Sequence, residues 1–291
     1  MSSQKTKNTN APTIARTLPE LRAATGQLRQ DPQVTLALVP TMGALHAGHI
    51  ELVKHAHTVA THVAVSIFVN PTQFAPTEDL GTYPRTEAAD LEILKAEGVN
   101  LVWIPGTDTM YPTGFSSAVQ PAKAAESLET DHRPHFFQGV TTVVAKLFNQ
   151  VRPDAALFGE KDYQQLCVIR AMVRDLDFGI DIVGVPTVRE NDGLALSSRN
   201  AYLTTEERQA APSLHEALQT LSKSIAVGTS IEEATANAKA LVLERGFRNI
   251  DYIEVRDAET LSPYEPRSDR PGRILAAAWL GNTRLIDNIP L

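Results

Sequence analysis

The sequence predicts an α/β protein, a doubly wound parallel sheet followed by a smaller C-terminal α+β domain. Three observations carry this. Short apolar runs alternate with helix-like stretches as far as residue 185, the pattern of strands buried on both faces and joined by crossover helices. Beyond Pro186, two helical patterns precede strand runs joined by a tight turn. At 291 residues the chain has the length of two domains or one large one.

The first dozen residues are polar and aperiodic and are expected as a flexible tail. Residues 18–29 follow as a short amphipathic helix. Strand runs at 34–39, 63–69, 101–104, 155–158 and 180–185 are bounded by turn signals. Helical stretches lie between them at 50–60, 86–97, 140–151 and 162–175. Strand order is not legible. Past Pro186, Thr204-Thr-Glu-Glu207 has capping-box spacing and opens a helix expected to run through about Leu221. A second helical segment covers 230–245. Strand runs at 251–255, 273–280 and 283–286 come last, the final two joined by Gly281-Asn282 as a hairpin. The domain border is expected near residue 187, dividing 1–187 from 188–291.

Composition narrows the class. The balance of 27 basic and 34 acidic side chains gives a net charge of −7, with no basic run, which argues against a nucleic-acid coat. A small anionic ligand needs only a local cationic pocket, so it stays open. With 43% hydrophobic residues and mixed charge, disorder is excluded. A single cysteine, Cys167, excludes an internal disulfide framework and a Cys-based zinc site. The N-terminus lacks the apolar core of a secretory signal, and no run approaches the roughly 20 apolar residues of a membrane span. A cytoplasmic location with no membrane partner is the expectation.

Four blocks could carry chemistry. The first strand runs into Pro40-Thr41-Met42-Gly43-Ala44-Leu45-His46-Ala47-Gly48-His49 and then a helix. The first strand–helix junction of such a sheet offers free N–H groups and a helix dipole to an anion. Gly43 and Gly48 allow close backbone approach. His46 and His49, three apart, share one face of the first turn and can donate to a polyphosphate as pyrophosphate leaves. Ordinary helix-start histidines are the bland alternative. A metal site is a poorer one, since HxxH is not HExxH and supplies two ligands. The second block, Asn70-Pro71-Thr72-Gln73-Phe74, ends a strand before a long loop, where ligands bind. In the third, Phe158 to Gln165, Lys161 stands near a helix N-terminus, where a cation opposes the dipole unless an anion lies between them. Asp162 could serve there as an N-cap, and Gln165 one turn on can face the same cavity. The fourth, Val188 to Asn200, combines an Asn-Asp-Gly turn with a hydroxyl-rich cationic loop, Ser197-Ser198-Arg199.

Together these blocks resemble the pantothenate synthetase (pantoate–β-alanine ligase) family of the HxGH nucleotidyltransferase superfamily. The match comprises PTMGALHAGH at 40–49, SIFVNPTQF at 66–74, YPRT at 83–86, VRPDAALFGEKDYQQL at 151–166, VGVPTVRENDGLALSSRNAYL at 183–203 and LIDNI at 285–289. It spans about 34–289 and is thinnest before LIDNI. HxGH alone marks the superfamily; the combination is specific to the family.

The resemblance implies a Rossmann-like domain that binds nucleotide and pantoate, a C-terminal lid domain, and a homodimer. It implies ATP- and Mg2+-dependent condensation of pantoate with β-alanine through a pantoyl adenylate, releasing pyrophosphate and AMP. Carried over, Met42, Gly43, Ala44, Leu45, His46, Ala47, Gly48 and His49 line the ATP site. His49 is the catalytic histidine, and His46 and Lys161 act with it. Gly159, Glu160, Lys161, Asp162, Val188, Leu196, Ser197, Ser198 and Arg199 complete the ATP site. Gln73 contacts pantoate and β-alanine, Gln165 holds pantoate, and Asn70 and Thr41 join the substrate site. No protein side chain is assigned to the metal. Loops 74–85 and 189–199 are the candidates to close over the reactive intermediate.

Two positions depart from the family pattern. Phe136 stands where a histidine is expected, with His135 one residue earlier, and Leu196 replaces the usual methionine, a swap of similar volume. The rival readings are another HxGH-type adenylyl- or cytidylyltransferase, against which NPTQF and GEKDYQQ argue, and a non-enzymatic nucleotide-binding regulator.

Overall fold

The computed structural model describes residues 11–75, 79–266 and 269–291. The first ten residues of the expected tail, and 76–78 within the expected closing loop 74–85, lie outside them. In chain order the first part comprises β1 (Thr13–Ala15), α1 (Leu18–Leu28), β2 (Leu36–Thr41), α2 (Ala47–Val59), β3 (His62–Ile67), α3 (Glu87–Ala96) and β4 (Leu101–Trp103). Next come α4 (Thr107–Met110), α5 (Glu129–His132), α6 (Phe136–Val151), β5 (Ala155–Gly159), α7 (Tyr163–Asp175) and β6 (Asp181–Val185). The remainder is α8 (Thr205–Ala210), α9 (Ser213–Ala226), α10 (Ile231–Glu244), β7 (Asn249–Asp257), β8 (Gly272–Leu280) and β9 (Thr283–Pro290).

Two compact units divide the chain. The first holds Met1–Pro121, Arg133–Gly159 and Val168–Val185; the second holds Ala122–His132, Glu160–Cys167 and Pro186–Leu291. The second unit is therefore not one C-terminal segment, and a border near residue 187 captures only the chain's last crossing. Bonds between residues distant in sequence gather it. The Tyr252 hydroxyl donates to Glu129 at 2.7 Å, and Tyr163 donates to the Ala258 carbonyl at 2.9 Å.

The first unit carries a six-stranded sheet in the order β1-β4-β3-β2-β5-β6, all pairs parallel. Alternate residues face opposite sides of a sheet. Ala37, Val39, Val65, Val102 and Leu157 pack with Leu52, Val53 and Ala56 of α2 and Leu94 of α3. Leu36, Leu38, Ala64, Leu101 and Trp103, on the other face, are equally buried. There α6 covers them: Trp103 donates to Gln150 at 3.0 Å, and the Phe148 and Phe158 rings meet at 6.4 Å. Winding reverses between β2 and β5, the switch point at which such sheets open a crevice at their carboxyl ends.

Three expectations needed correction. The short β1 was not anticipated; three residues at a sheet edge carry no readable period. The helix opened by Thr204 stops at Ala210 and a second begins at Ser213, because Pro212 has no N–H to continue the ladder. The helix expected at 140–151 begins at Phe136, which places Gly139 inside it. Pro40 is tolerated in β2 because pairing with β5 covers only Ala37 and Leu38. The second unit's antiparallel sheet runs β7-β8-β9, with Ile253, Val255, Ile274, Ala276 and Ala278 packed against Leu214, Leu218 and Leu221 of α9. Among the described residues no helix is long and apolar enough to cross a membrane.

Candidate functional site

The β2–α2 turn is built by backbone geometry. Gly43 has φ +81° and Ala44 φ +51°, a left-handed pair that turns the chain sharply after Thr41. The Asp90 carboxylate of α3, 2% exposed, accepts from the backbone N–H groups of Ala44 at 3.0 Å and Leu45 at 2.9 Å. Charge-assisted bonds of this kind hold a strained turn. Thr86 donates to both oxygens of the same carboxylate at 3.2 Å. Thr41 donates to the Ser66 carbonyl at 2.8 Å and accepts from Gly43 at 3.3 Å, so its buried hydroxyl serves the turn.

The two histidines cap α2 reciprocally. His46 is the N-cap, and its Nδ1 accepts from Gly48 N–H at 3.1 Å; His49, at the third helical position, accepts from His46 N–H through its own Nδ1 at 3.3 Å. The rings lie 4.1 Å apart, centroid to centroid. Accepting a backbone N–H requires an unprotonated Nδ1, so each neutral ring carries its proton on Nε2. Gly48 leaves room for this cap, since a Cβ would fall 2.9 Å from the His46 ring and push it aside.

Asn70 ends the next strand region and is 1% exposed. Its amide donates to Gln73 Oε1 at 3.1 Å and the Gly139 carbonyl at 3.2 Å, while its oxygen accepts from Tyr111 at 2.7 Å and from Thr72. Both donors are committed to protein, so Asn70 orients Gln73. The Gln73 amide also reaches Met42 Sδ at 3.1 Å, and its carbonyl accepts from Arg133 at 3.1 Å. The Arg133 guanidinium stacks over the Phe136 ring at 3.8 Å. The phenylalanine at the departure position thus supports a cation that holds the Gln73 backbone. His135 is exposed and makes no side-chain cap.

In the second unit, Lys161 lies in the 3-10 turn Glu160–Asp162 that leads into α7, its side chain 21% exposed and 3.9 Å from Asp162. Asp162 belongs to that turn and is exposed; Gln165 is half-buried on α7. The neighbouring Gln164 is structural: its amide donates to the Ala124 and Ser127 carbonyls and accepts from Glu129 N–H. The fourth block opens with Val188, whose carbonyl accepts from Leu196 at 3.0 Å, and Arg189 bridges Ala195. Ser197 caps a 3-10 turn over Ser198–Tyr202 by accepting from Arg199 N–H at 3.3 Å. Ser198 and Arg199 are half-buried within it.

The base of that loop is tied to β9. Arg189 pairs with both oxygens of Asp287 at 2.8 Å, and His215 lies 3.2 Å from the same carboxylate. Burial opposes ionisation of Asp287, but hydrogen bonds from His215 and Arg189 outweigh it and hold the carboxyl below its ordinary range. A depressed folded-state pKa contributes stability above the unfolded value of about 3.9, and the contribution is lost as pH falls through the folded value. Asp287→Asn should therefore destabilise by about 3 kcal/mol at neutral pH, the cost of breaking a buried pair. The difference in melting temperature should begin to narrow below about pH 4 and close only as pH falls through the depressed folded-state value. A difference unchanged down to about pH 3 would show that the charge does not hold this loop.

Comparison with known proteins identifies the family. A family model for pantoate-beta-alanine ligase matches residues 13–290. The chain belongs to the pantoate–β-alanine ligase family. Among relatives, the pantothenate synthetase of Rhodopseudomonas palustris strain BisB18 is 56% identical over 280 residues, covering 96% of this chain and 98% of the relative. The crystal structure of pantothenate synthetase from Thermus thermophilus aligns with TM-score 0.87 at 45% identity, over 95% of this chain and 98% of that one. The pantoate–β-alanine ligase of Francisella tularensis, solved in complex with beta-gamma ATP and beta-alanine, aligns with TM-score 0.80 at 34% identity, covering 96% and 98%.

Within this family framework the first unit brings Met42, Gln73, Asn70 and Gly139 together, and the second brings the Glu160–Lys161 turn to β9. Asp90, Arg133, Arg189 and Asn288 carried no role in the sequence reading. A signal for Asp90 was present: an acidic residue four before Leu94, on the buried side of α3. Asn288 and Asp287 had only their place in LIDNI, because the Glu160 carbonyl and Arg189 guanidinium that they hold lie 128 and 98 residues away in sequence.

Proposed function

We propose that the chain joins pantoate to β-alanine using ATP, through a pantoyl adenylate. A pantoate carboxylate oxygen attacks the α-phosphorus, the bond to the β-phosphate oxygen breaks, and pyrophosphate leaves. The β-alanine amine then attacks the acyl carbon, the acyl–phosphate C–O bond breaks, AMP leaves and the amine gives up its proton. The observation that carries this reading is the reciprocal histidine cap of α2. It fixes two imidazoles with Nε2 protons beside a helix N-terminus, at the carboxyl end of β2 next to the switch point. Donors set before reaction need no reorganisation as charge builds on the leaving pyrophosphate.

In this assignment Met42 to His49 contact ATP, with His49 and His46 on the phosphates. Lys161, Ser197, Ser198 and Arg199 supply the remaining positive and hydroxyl groups, and Gly159, Glu160, Asp162, Val188 and Leu196 complete the nucleotide site. Gln73 and Gln165 bind pantoate, with Gln73 also meeting β-alanine. Asn70 and Thr41 act from behind, since their polar atoms are engaged by the protein. Mg2+ belongs to this proposal as part of the nucleotide substrate. An ion brought in this way is held mainly by phosphate oxygens and water. Closure of loop 189–199 would keep water from the acyl adenylate. A homodimer is carried over from the family resemblance, and a cytoplasmic location from the sequence reading.

The test is pantoate-dependent exchange of labelled pyrophosphate into ATP without β-alanine, then product analysis once β-alanine is added. Exchange that requires pantoate, followed by AMP and pantothenate on addition, is the expected outcome. Exchange indifferent to pantoate, or a product retaining the nucleotide, would overturn the assignment.

A further inference from the structure

We propose that Asp287 and Asn288, adjacent on β9, are positioning residues that each steer a different loop of the nucleotide site. The inference rests on the reading above, in which Lys161 and the 197–199 loop meet the phosphates. Successive residues of a strand face opposite sides of the sheet, so two neighbours can reach two separate segments. Asn288 is 2% exposed and Asp287 5%. Water therefore cannot readily substitute for the partners they hold.

Asn288 acts on the Lys161 turn. Its side-chain amide donates to the carbonyls of Glu160 and Lys161, both at 2.8 Å. Its oxygen accepts from Arg273 Nε at 2.7 Å, and Arg273 donates to the Glu160 carboxylate at 3.1 Å. Holding two consecutive carbonyls fixes the peptide plane between them, and with it the direction in which the Lys161 side chain leaves the backbone. Few side chains can do this: a carboxylate has no donor, and a serine has one.

Asp287 acts on the other loop. Its bidentate pair with Arg189 places that guanidinium where it also donates to the Gly193 carbonyl at 3.0 Å and the Asn288 carbonyl at 3.2 Å. The Arg189–Ala195 bridge then closes the loop two residues before Ser197. Neither residue is required to touch ATP; each acts through the loop it holds.

The test is a pair of double-mutant cycles read by pantoate-dependent ATP–pyrophosphate exchange, with melting temperatures recorded for every variant. Asn288→Ala should lower exchange roughly 10²-fold alone, the scale of an ångström-sized misplacement. In a Lys161→Ala background it should cost less than about 3-fold, while in an Arg199→Ala background it should keep its full effect. Asp287→Asn should show the converse. A general structural role predicts equal losses in both backgrounds, and that result would overturn the assignment. Should Asn288→Ala fail to fold, Asn288→Ser, which retains one donor, should give an intermediate loss with the same background dependence. If Lys161→Ala and Arg199→Ala leave exchange unchanged, the phosphate reading falls and this assignment with it. Full single losses with additive pairs would remove this assignment alone.

Discussion

His49→Ala should lower pantoate-dependent exchange by roughly 10²–10³-fold, the loss produced by removing one donor aimed at developing charge. The residue has two jobs, and the variant removes both. Its Nδ1 accepts the His46 N–H at the start of α2, a cap worth about 1 kcal/mol. Its Nε2 carries the proton assigned to the phosphates. The cap is too small to unfold a domain whose stability is several kcal/mol, so the variant should keep its far-ultraviolet circular dichroism. Two amides separate the jobs. Asparagine can present an acceptor near the Nδ1 position, and glutamine can present a donor near the Nε2 position. His49→Asn should recover the melting temperature without the rate; His49→Gln should recover part of the rate. Exchange that tracks melting temperature across the series, or a native rate in His49→Ala, would place the donor elsewhere.

Gly139→Ala should be severe for a different reason. On helix propensity alone, alanine gains about 1 kcal/mol over glycine inside a helix. Here the added Cβ would lie 2.4 Å from the Thr72 carbonyl oxygen and 2.9 Å from the Gln73 nitrogen. These are backbone atoms and cannot swing aside, so α6 or the 70–73 turn must move. Overpacking of this kind costs about 1–3 kcal/mol, enough to reverse the propensity gain. The shift would also stretch the bond from Asn70 to the Gly139 carbonyl and carry Gln73 away from its place. A displacement near an ångström costs about 10²-fold in rate. A lowered melting temperature together with a raised KM for pantoate is the expected pair of readings. A variant as stable and active as the parent would show that the close approach relaxes freely.

Much of the first unit was legible because its signals are local. Period and turn residues located β2 to β6 and the longer helices α2, α3, α6 and α7 to within a few residues, whereas the four-residue helices α4 and α5 were too short to show a period. The block at 40–49 announced a strand–turn–helix junction with two histidines on one face. The second unit was legible as elements, with its first helix divided at Pro212 against expectation. The grouping of 122–132 and 160–167 with the C-terminal sheet was not legible, since buried bonds such as Tyr252 to Glu129 join residues 123 positions apart. Phe136 is instructive in the same way. By sequence it is a departure from a family pattern; in the fold its ring lies under Arg133, whose guanidinium holds the Gln73 carbonyl.

Fold class, family resemblance and the residue types proposed for the phosphates could all be read along the chain, because periodicity, turn chemistry and motif spacing are properties of neighbouring residues. How those groups are held emerges from the folded chain. Asp90 on the β2–α2 turn, Asn70 and Gly139 around Gln73, and the Asp287-Asn288 pair on β9 act across gaps of about 45 to 130 residues. A hydrogen bond needs an approach of about 3 Å, and no period in the chain encodes which distant residues will make it.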